Sequence, residues 1–128
     1  MISIQSVLYI HSQLIENFGG GEGVRDQGGL EAAIARPYAT FDGIDLYPEP
    51  IDKAAAIFES LIINHPFIDG NKRTAYTLLR LMLLSFDCDI EAPEDEKYDM
   101  TIAASTGQLK FDEIKLWLST KIITQKNK

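Results

Sequence analysis

The sequence predicts an all-α domain carrying one small β-hairpin. Nearly every long segment spaces its apolar residues at the 3.6-residue period of a helix. The one clear break, residues 40–48, sets Asp42-Gly43 between the apolar Phe41 and Ile44, which is a hairpin signal. With 128 residues, 45% of them hydrophobic and 24% charged, the chain can bury a core as a soluble domain.

The elements follow in order. Ser3 caps a first helix running to Phe18, with Ile4, Val7, Leu8, Leu14 and Ile15 facing inward. Gly19, Gly20, Gly21 and Gly23 stop it. A short helix from Leu30 to Ala35 is closed by Arg36-Pro37. After the hairpin, Pro50 opens a helix whose buried side holds Ile51, Ala54, Ala55, Phe58, Leu61 and Ile62. It ends near His65, because Pro66 disfavours helical geometry in the residue before it. The next helix starts around Asn71 and carries Ala75, Leu78, Leu79, Met82, Leu83 and Phe86; apolar on more than one face, it is expected to be the central buried helix. Pro93 followed by Glu94, Asp95 and Glu96 suits the positive end of a helix dipole. A last helix spans Phe111 to Ile123, with Ile114, Trp117 and Leu118 inward. There is no repeat and no linker, so one domain is expected over residues 1–124. A flexible C-terminal tail is expected at 125–128, with Lys121, Lys126 and Lys128 solvated.

Composition narrows the function classes. A net charge of −7 opposes a general nucleic-acid binder, which needs a basic face, but leaves room for a nucleotide held by a few local cations. The apolar runs at 57–63 and 78–86 are too short and interrupted to cross a bilayer, and the first residues lack the basic start and apolar stretch of a signal peptide. One cysteine, Cys88, allows no internal disulfide; it reads as a small packing residue, and a reducing, cytoplasmic location is expected. His11 and His65 are not at zinc-pair spacing, and no Gly-Lys-Ser/Thr phosphate loop occurs.

The chemistry is concentrated in His65-Pro66-Phe67-Ile68-Asp69-Gly70-Asn71-Lys72-Arg73. Its second half forms a helix N-terminus, where free N–H groups and the dipole favour an anion. Gly70 lets a ligand approach the backbone, Lys72 and Arg73 add two cations, and Asp69 offers a carboxylate that Mg²⁺ can bridge to a phosphate. His65 supplies an imidazole, the side chain most often used to take a hydroxyl proton. Taken singly, His65 reads as a helix stop and Asp69-Gly70-Asn71 as turn and cap chemistry. Two cations at a helix start run against the dipole preference and are harder to explain as surface decoration. Together the residues equip phosphoryl or nucleotidyl transfer.

This stretch resembles the signature of the Fic/Doc family, His-x-Phe-x-Asp/Glu-Gly/Ala-Asn-Gly/Lys-Arg, at every position from His65 to Arg73. Residues 25–33 and Ala35-Arg36-Pro37 also resemble the early segment of Doc-type proteins. The resemblance implies a compact Fic-type helical domain with the hairpin as its flap. It implies that His65 is the general base, that Asp69 holds Mg²⁺, and that Gly70, Asn71, Lys72, Arg73 and Thr77 bind the phosphates of ATP or another nucleoside triphosphate. Phe67 would anchor the loop, and Phe41, Asp42, Gly43 and Ile44 would dock a target segment through strand-like pairing. Lys72 stands where typical Fic adenylyltransferases have a second glycine, and Tyr76 where they have a second arginine. Thr77 replaces a polar amide that Doc-type proteins can carry.

Lys72 therefore points to the Doc-type branch: a bacterial toxin that phosphorylates a hydroxyl of a target protein, a translation elongation factor among the candidates, and is restrained by a cognate antitoxin. The alternatives are an adenylyl- or other nucleotidyltransferase and a catalytically silent binding module. Ser12-Gln13-Leu14-Ile15-Glu16-Asn17 also fits the inhibitory-helix pattern of some Fic proteins. Without the second arginine, however, Glu16 reads better as a solvated residue near a helix end than as an inhibitor.

Overall fold

Ser3 opens the first helix as expected: its hydroxyl accepts from the Ser6 N–H at 3.1 Å, and α1 (Ile4–Phe18) runs until Gly19 turns to φ 89°. The computed structural model describes residues 1–124; the flexible tail expected at 125–128, with Lys126 and Lys128, lies outside the described residues. On α1, Val7, His11 and Ile15 are buried, whereas Leu8, expected inward, is exposed. His11 takes the inward position one turn after Val7 and one before Ile15.

α2 (Gln27–Ala35) begins earlier than Leu30, because the Asp26 carboxylate accepts from the Gly29 N–H at 2.9 Å and caps it there. A 3₁₀ turn, Arg36–Tyr38, leads into the expected hairpin of β1 (Thr40–Phe41) and β2 (Ile44–Asp45), with Thr40 opposite Asp45 and Phe41 opposite Ile44. Asp42 and Gly43 both have positive φ, 53° and 75°, as a type I′ turn demands. The hairpin's base is fixed at Arg36. Its Nε donates to the Tyr47 hydroxyl at 2.9 Å, and its Nη1 to Glu59 at 2.9 Å and to the Ser60 hydroxyl at 3.0 Å. Burial lowers the Arg36 pKa, but the bonds to Tyr47 and Glu59 outweigh it and raise it overall.

α3 (Pro50–Asn64), not α4 (Asn71–Leu84), is the central helix. α3 packs against α2, the 3₁₀ turn, α4, α5 (Glu94–Ser105) and α6 (Phe111–Lys121). Ala54, Ala55 and Ala56 are fully buried and bring neighbouring helices close, and Ile57, Phe58, Leu61 and Ile62 complete the core. α4 buries Thr74, Ala75, Leu78, Leu79, Met82 and Leu83 but leaves Lys72, Arg73, Arg80 and Leu81 outside. Phe86, expected on its inner face, lies past the helix end and is exposed.

The structure also has a second small sheet that the sequence reading lacked. β3 (Cys88–Ile90) pairs antiparallel with β4 (Ile122–Thr124), and Ile90 lies opposite Ile122. The last helix therefore stops at Lys121 rather than Ile123. Lys121 is not a solvated tail residue, since it pairs with Glu96 of α5 at 2.9 Å. Cys88 packs half-buried against the core, as expected. The fold is mainly helical with small two-stranded sheets, and among the described residues no helix is long and apolar enough to cross a membrane.

Candidate active site

The signature segment folds as a loop between α3 and α4. His65 ends α3 in the left-handed region (φ 45°, ψ 55°), a helix-stopping turn, and Pro66 after it disfavours a further right-handed helical residue at that position. The His65 carbonyl is gripped by the Arg25 guanidinium, with Nη2 at 2.6 Å and Nε at 3.1 Å, while its side chain is exposed. Arg25 and Asp26 both donate backbone N–H groups to the Pro66 carbonyl, at 2.7 and 3.0 Å. Val24 forms an antiparallel bridge with Phe67, and the Ile68 N–H donates to Gly23 at 3.1 Å. The loop is thus laced along the glycine-rich segment that follows α1.

Phe67 is 1% exposed, and its ring stacks on His11 with centroids 3.8 Å apart and planes 7° from parallel. The Asn71 side chain clasps the Phe67 backbone, accepting from its N–H at 3.0 Å and donating to its carbonyl at 2.9 Å. That side chain, expected among the phosphate binders, is engaged in closing the loop; its backbone N–H remains at the helix start. The Asp69 carboxylate accepts from the Gly21 N–H at 2.6 Å, and the Asp69 carbonyl meets His11 Nε2 at 2.8 Å. Gly70 is left-handed (φ 77°, ψ 19°), and a Cβ there would lie 3.1 Å from Ile15 Cδ1.

α4 begins at once. Its first hydrogen-bonded amide is Thr74, to Gly70 at 2.9 Å, so the N–H groups of Asn71, Lys72 and Arg73 have no acceptor within the helix. These three residues line a cleft of about 470 Å³. One wall is Gly70–Arg73 with Tyr76 and Thr77, and the other is α5, with Lys97, Tyr98, Thr101 and Ile102. The Arg73 guanidinium lies over the Phe18 ring, 4.0 Å from its centroid. The Thr77 hydroxyl donates to the Arg73 carbonyl at 2.8 Å, leaving its lone pairs for a ligand. The Tyr76 hydroxyl is buried with no hydrogen-bond partner among the described residues, and burial raises its pKa.

The structure brings Gly70, Asn71, Lys72, Arg73 and Thr77 to this cleft; neither His65 nor Asp69 belongs to its lining. Phe41 and Ile44 of the hairpin are 69% and 71% exposed, and among the described residues no hydrogen bond joins the hairpin to the loop. Glu16 is exposed and makes no ion pair among the described residues. No group of three or more His, Cys, Asp or Glu residues is placed to hold a metal ion among the described residues.

Sequence reasoning missed Arg25, the glycine-rich tether and His11 as parts of this site. Arg25 stood within the matched early segment but had no assigned role. His11 carries no local signal, because its partners lie 56 and 58 residues on.

A model of the Fic/DOC family matches residues 1–83, which covers the chain from α1 through the signature loop and most of α4. The chain is 50% identical over 84 residues to a protein named Toxin Doc from Mycolicibacterium smegmatis, a match covering 61% of this chain and 65%, just under two thirds, of that protein. It is 28% identical over 114 residues to Protein kinase doc of Escherichia phage P1, covering 88% of each. With the whole signature folded as one loop beneath a helix start, and the family's pattern spanning α1 to α4, the chain belongs to the Fic/Doc family.

Proposed function

We propose that the chain is a Doc-like toxin that moves the terminal phosphoryl group of a nucleoside triphosphate, ATP in the first instance, onto a hydroxyl of a target protein. The observation that carries this reading is the start of α4. Three free N–H groups stand beside Lys72 and Arg73 at the mouth of the cleft, within a signature whose Lys72 fills the space a glycine would leave. The names of the two relatives, a toxin and a protein kinase, support it.

In this reading the exposed His65 imidazole takes the proton of the target hydroxyl. The hydroxyl oxygen then bonds to the terminal phosphorus as the bond to the leaving nucleoside diphosphate breaks. The α4 amides, Lys72 and Arg73 balance the phosphate charge; Thr77, whose proton goes to the Arg73 carbonyl, can only accept, which suits a hydroxyl or N–H of the nucleoside and not a phosphate oxygen. The α5 wall with Tyr98 and Ile102 bounds the space for the nucleoside. A lone carboxylate suits Mg²⁺ shared with phosphates better than an all-protein cage, and Asp69 offers one, with Oδ2 already oriented by Gly21. When bound, Mg²⁺ would supply neutralisation of phosphate charge beside Asp69. The Phe41–Ile44 hairpin is the target-docking flap. A translation elongation factor is the first candidate target, and a cognate antitoxin the expected restraint. Glu16 has no inhibitory role here, since Tyr76 occupies the place of the second arginine.

The test is intact mass spectrometry of bacterial elongation factor Tu after incubation with the protein, Mg²⁺ and ATP, beside His65→Ala. A phosphate-sized gain lost in the variant is expected. A nucleotidyl-sized gain would replace phosphoryl with nucleotidyl transfer, and transfer that survives in His65→Ala would remove His65 as the base.

A further inference from the structure

We propose that His11 is a positioning residue for the signature loop: it turns the Asp69–Gly70 peptide so that the Gly70 N–H faces the cleft and joins the N–H groups of α4 in holding phosphate. This assignment rests on the reading of the cleft as a phosphate site. His11 is 4% exposed, and a buried imidazole needs a partner for its polar atoms. Its Nε2 meets the Asp69 carbonyl at 2.8 Å. A carbonyl only accepts, so Nε2 must carry the proton and donate. The ring face is engaged by Phe67, which leaves the imidazole little freedom to turn away.

The geometry of the peptide bond extends this contact outward. The Asp69 carbonyl and the Gly70 N–H belong to one planar trans unit, so the two groups point in opposite directions. Drawing the carbonyl inward onto α1 turns the Gly70 N–H away from α1, and Gly70 lines the cleft. Left alone, that peptide could rotate, because the glycine on its C-terminal side tolerates either orientation. Gly21 and Gly23 hold the loop from the glycine-rich segment, through the Asp69 carboxylate and the Ile68 amide. His11 holds it from a helix, and Ile15, one turn on, supports Gly70 from the same face.

Two variants separate donation from packing. His11→Phe keeps the ring and its stack on Phe67 but removes the donor; His11→Gln reaches the same carbonyl with an N–H. In calorimetric titrations of the full chain with Mg²⁺·ADP, His11→Phe should bind at least about fivefold more weakly, and His11→Gln within about twofold of the unaltered protein. Equal binding by His11→Phe, or equal loss by both, would overturn the assignment. Should His11→Phe fail to fold, nitrogen NMR of the unaltered protein decides: a protonated Nε2 at neutral pH supports the proposal, and a bare Nε2 defeats it. Amide exchange at Phe67 and Ile68 without ligand should speed up in His11→Phe and not in His11→Gln. That pattern in a protein that binds no Mg²⁺·ADP would sink the phosphate reading while sustaining His11 as the residue that orders the loop.

Discussion

Arg25 holds the main-chain carbonyl of His65 with two nitrogens of its guanidinium, at 2.6 and 3.1 Å. A non-glycine residue at positive φ is strained by about 1 kcal/mol or more, and this fork holds the strained residue from the opposite segment. With His65 as the proposed base, Arg25→Ala should lower the transfer rate by about tenfold or more through misplacement of the imidazole. The fold should lose only about 1–2 kcal/mol. Arg25→Lys should recover part of the stability and less of the rate, since it lacks the fork. Steady-state kinetics beside thermal melting will show whether rate and stability separate in this way.

Phe18 is 61% exposed at the end of α1, yet its ring lies under the Arg73 guanidinium. An exposed cation–π contact contributes about 0.5–1 kcal/mol, so with Arg73 as a proposed phosphate binder Phe18→Ala should weaken nucleotide binding by about two- to fivefold. Phe18→Tyr should keep the affinity. Little core contact is lost, and the melting temperature should hardly move. Titration calorimetry on both variants checks this; unchanged affinity in Phe18→Ala would mean that Arg73 does not need the ring.

Gly70 combines a left-handed backbone with a close neighbour, Ile15 Cδ1, at 3.1 Å from a Cβ added there. Gly70→Ala should destabilise the protein by about 1–2 kcal/mol from backbone strain, with crowding added. Ile15→Val deletes the crowding methyl. The double variant should therefore fall short of the sum of the single losses, while the strain component persists. Urea denaturation of the four proteins gives the coupling directly.

Burial raises the Tyr76 phenol above its usual value of 10.0, with Glu94 and Asp89 pushing the same way and Lys97 and Arg80 opposing. A pKa raised on folding stabilises the protein fully below the unfolded value and loses that contribution as pH rises through the folded one. Stability should therefore drop with pH above ~10, and Tyr76→Phe should remove that part of the slope. Phenolate absorbance during alkaline titration, beside denaturation curves at several pH values, tests the sign.

The helices and the hairpin were legible because their causes are local. Ser3, Pro50, Pro66 and Pro93 mark ends by what their side chains do to the adjacent backbone, and Asp42-Gly43 marks a turn by its tolerance of positive φ. The pairing of Cys88–Ile90 with Ile122–Thr124 was not legible, since three-residue strands have no period to read and their partner is remote. Naming α4 as the central helix failed for a related reason. Its apolar faces resembled full burial, but the three alanines of α3 decide which helix can be surrounded closely. At the site, the nine signature residues stood out by type, and the chemistry proposed for them was read from type alone. Their supports did not, because Arg25, Gly21 and His11 gain meaning only from what lies opposite them.

The tethers of the loop span 40 residues from Arg25 to His65, 48 from Gly21 to Asp69 and 58 from His11 to Asp69. The nine-residue signature is consequently not a portable motif: grafted onto another helical hairpin it would lose the framework that shapes it. Closing contacts of such separation is entropically slow, so the reactive geometry should assemble only when α1 docks, near the end of folding. A newly made chain would then lack the proposed site until its first helix had found its seat.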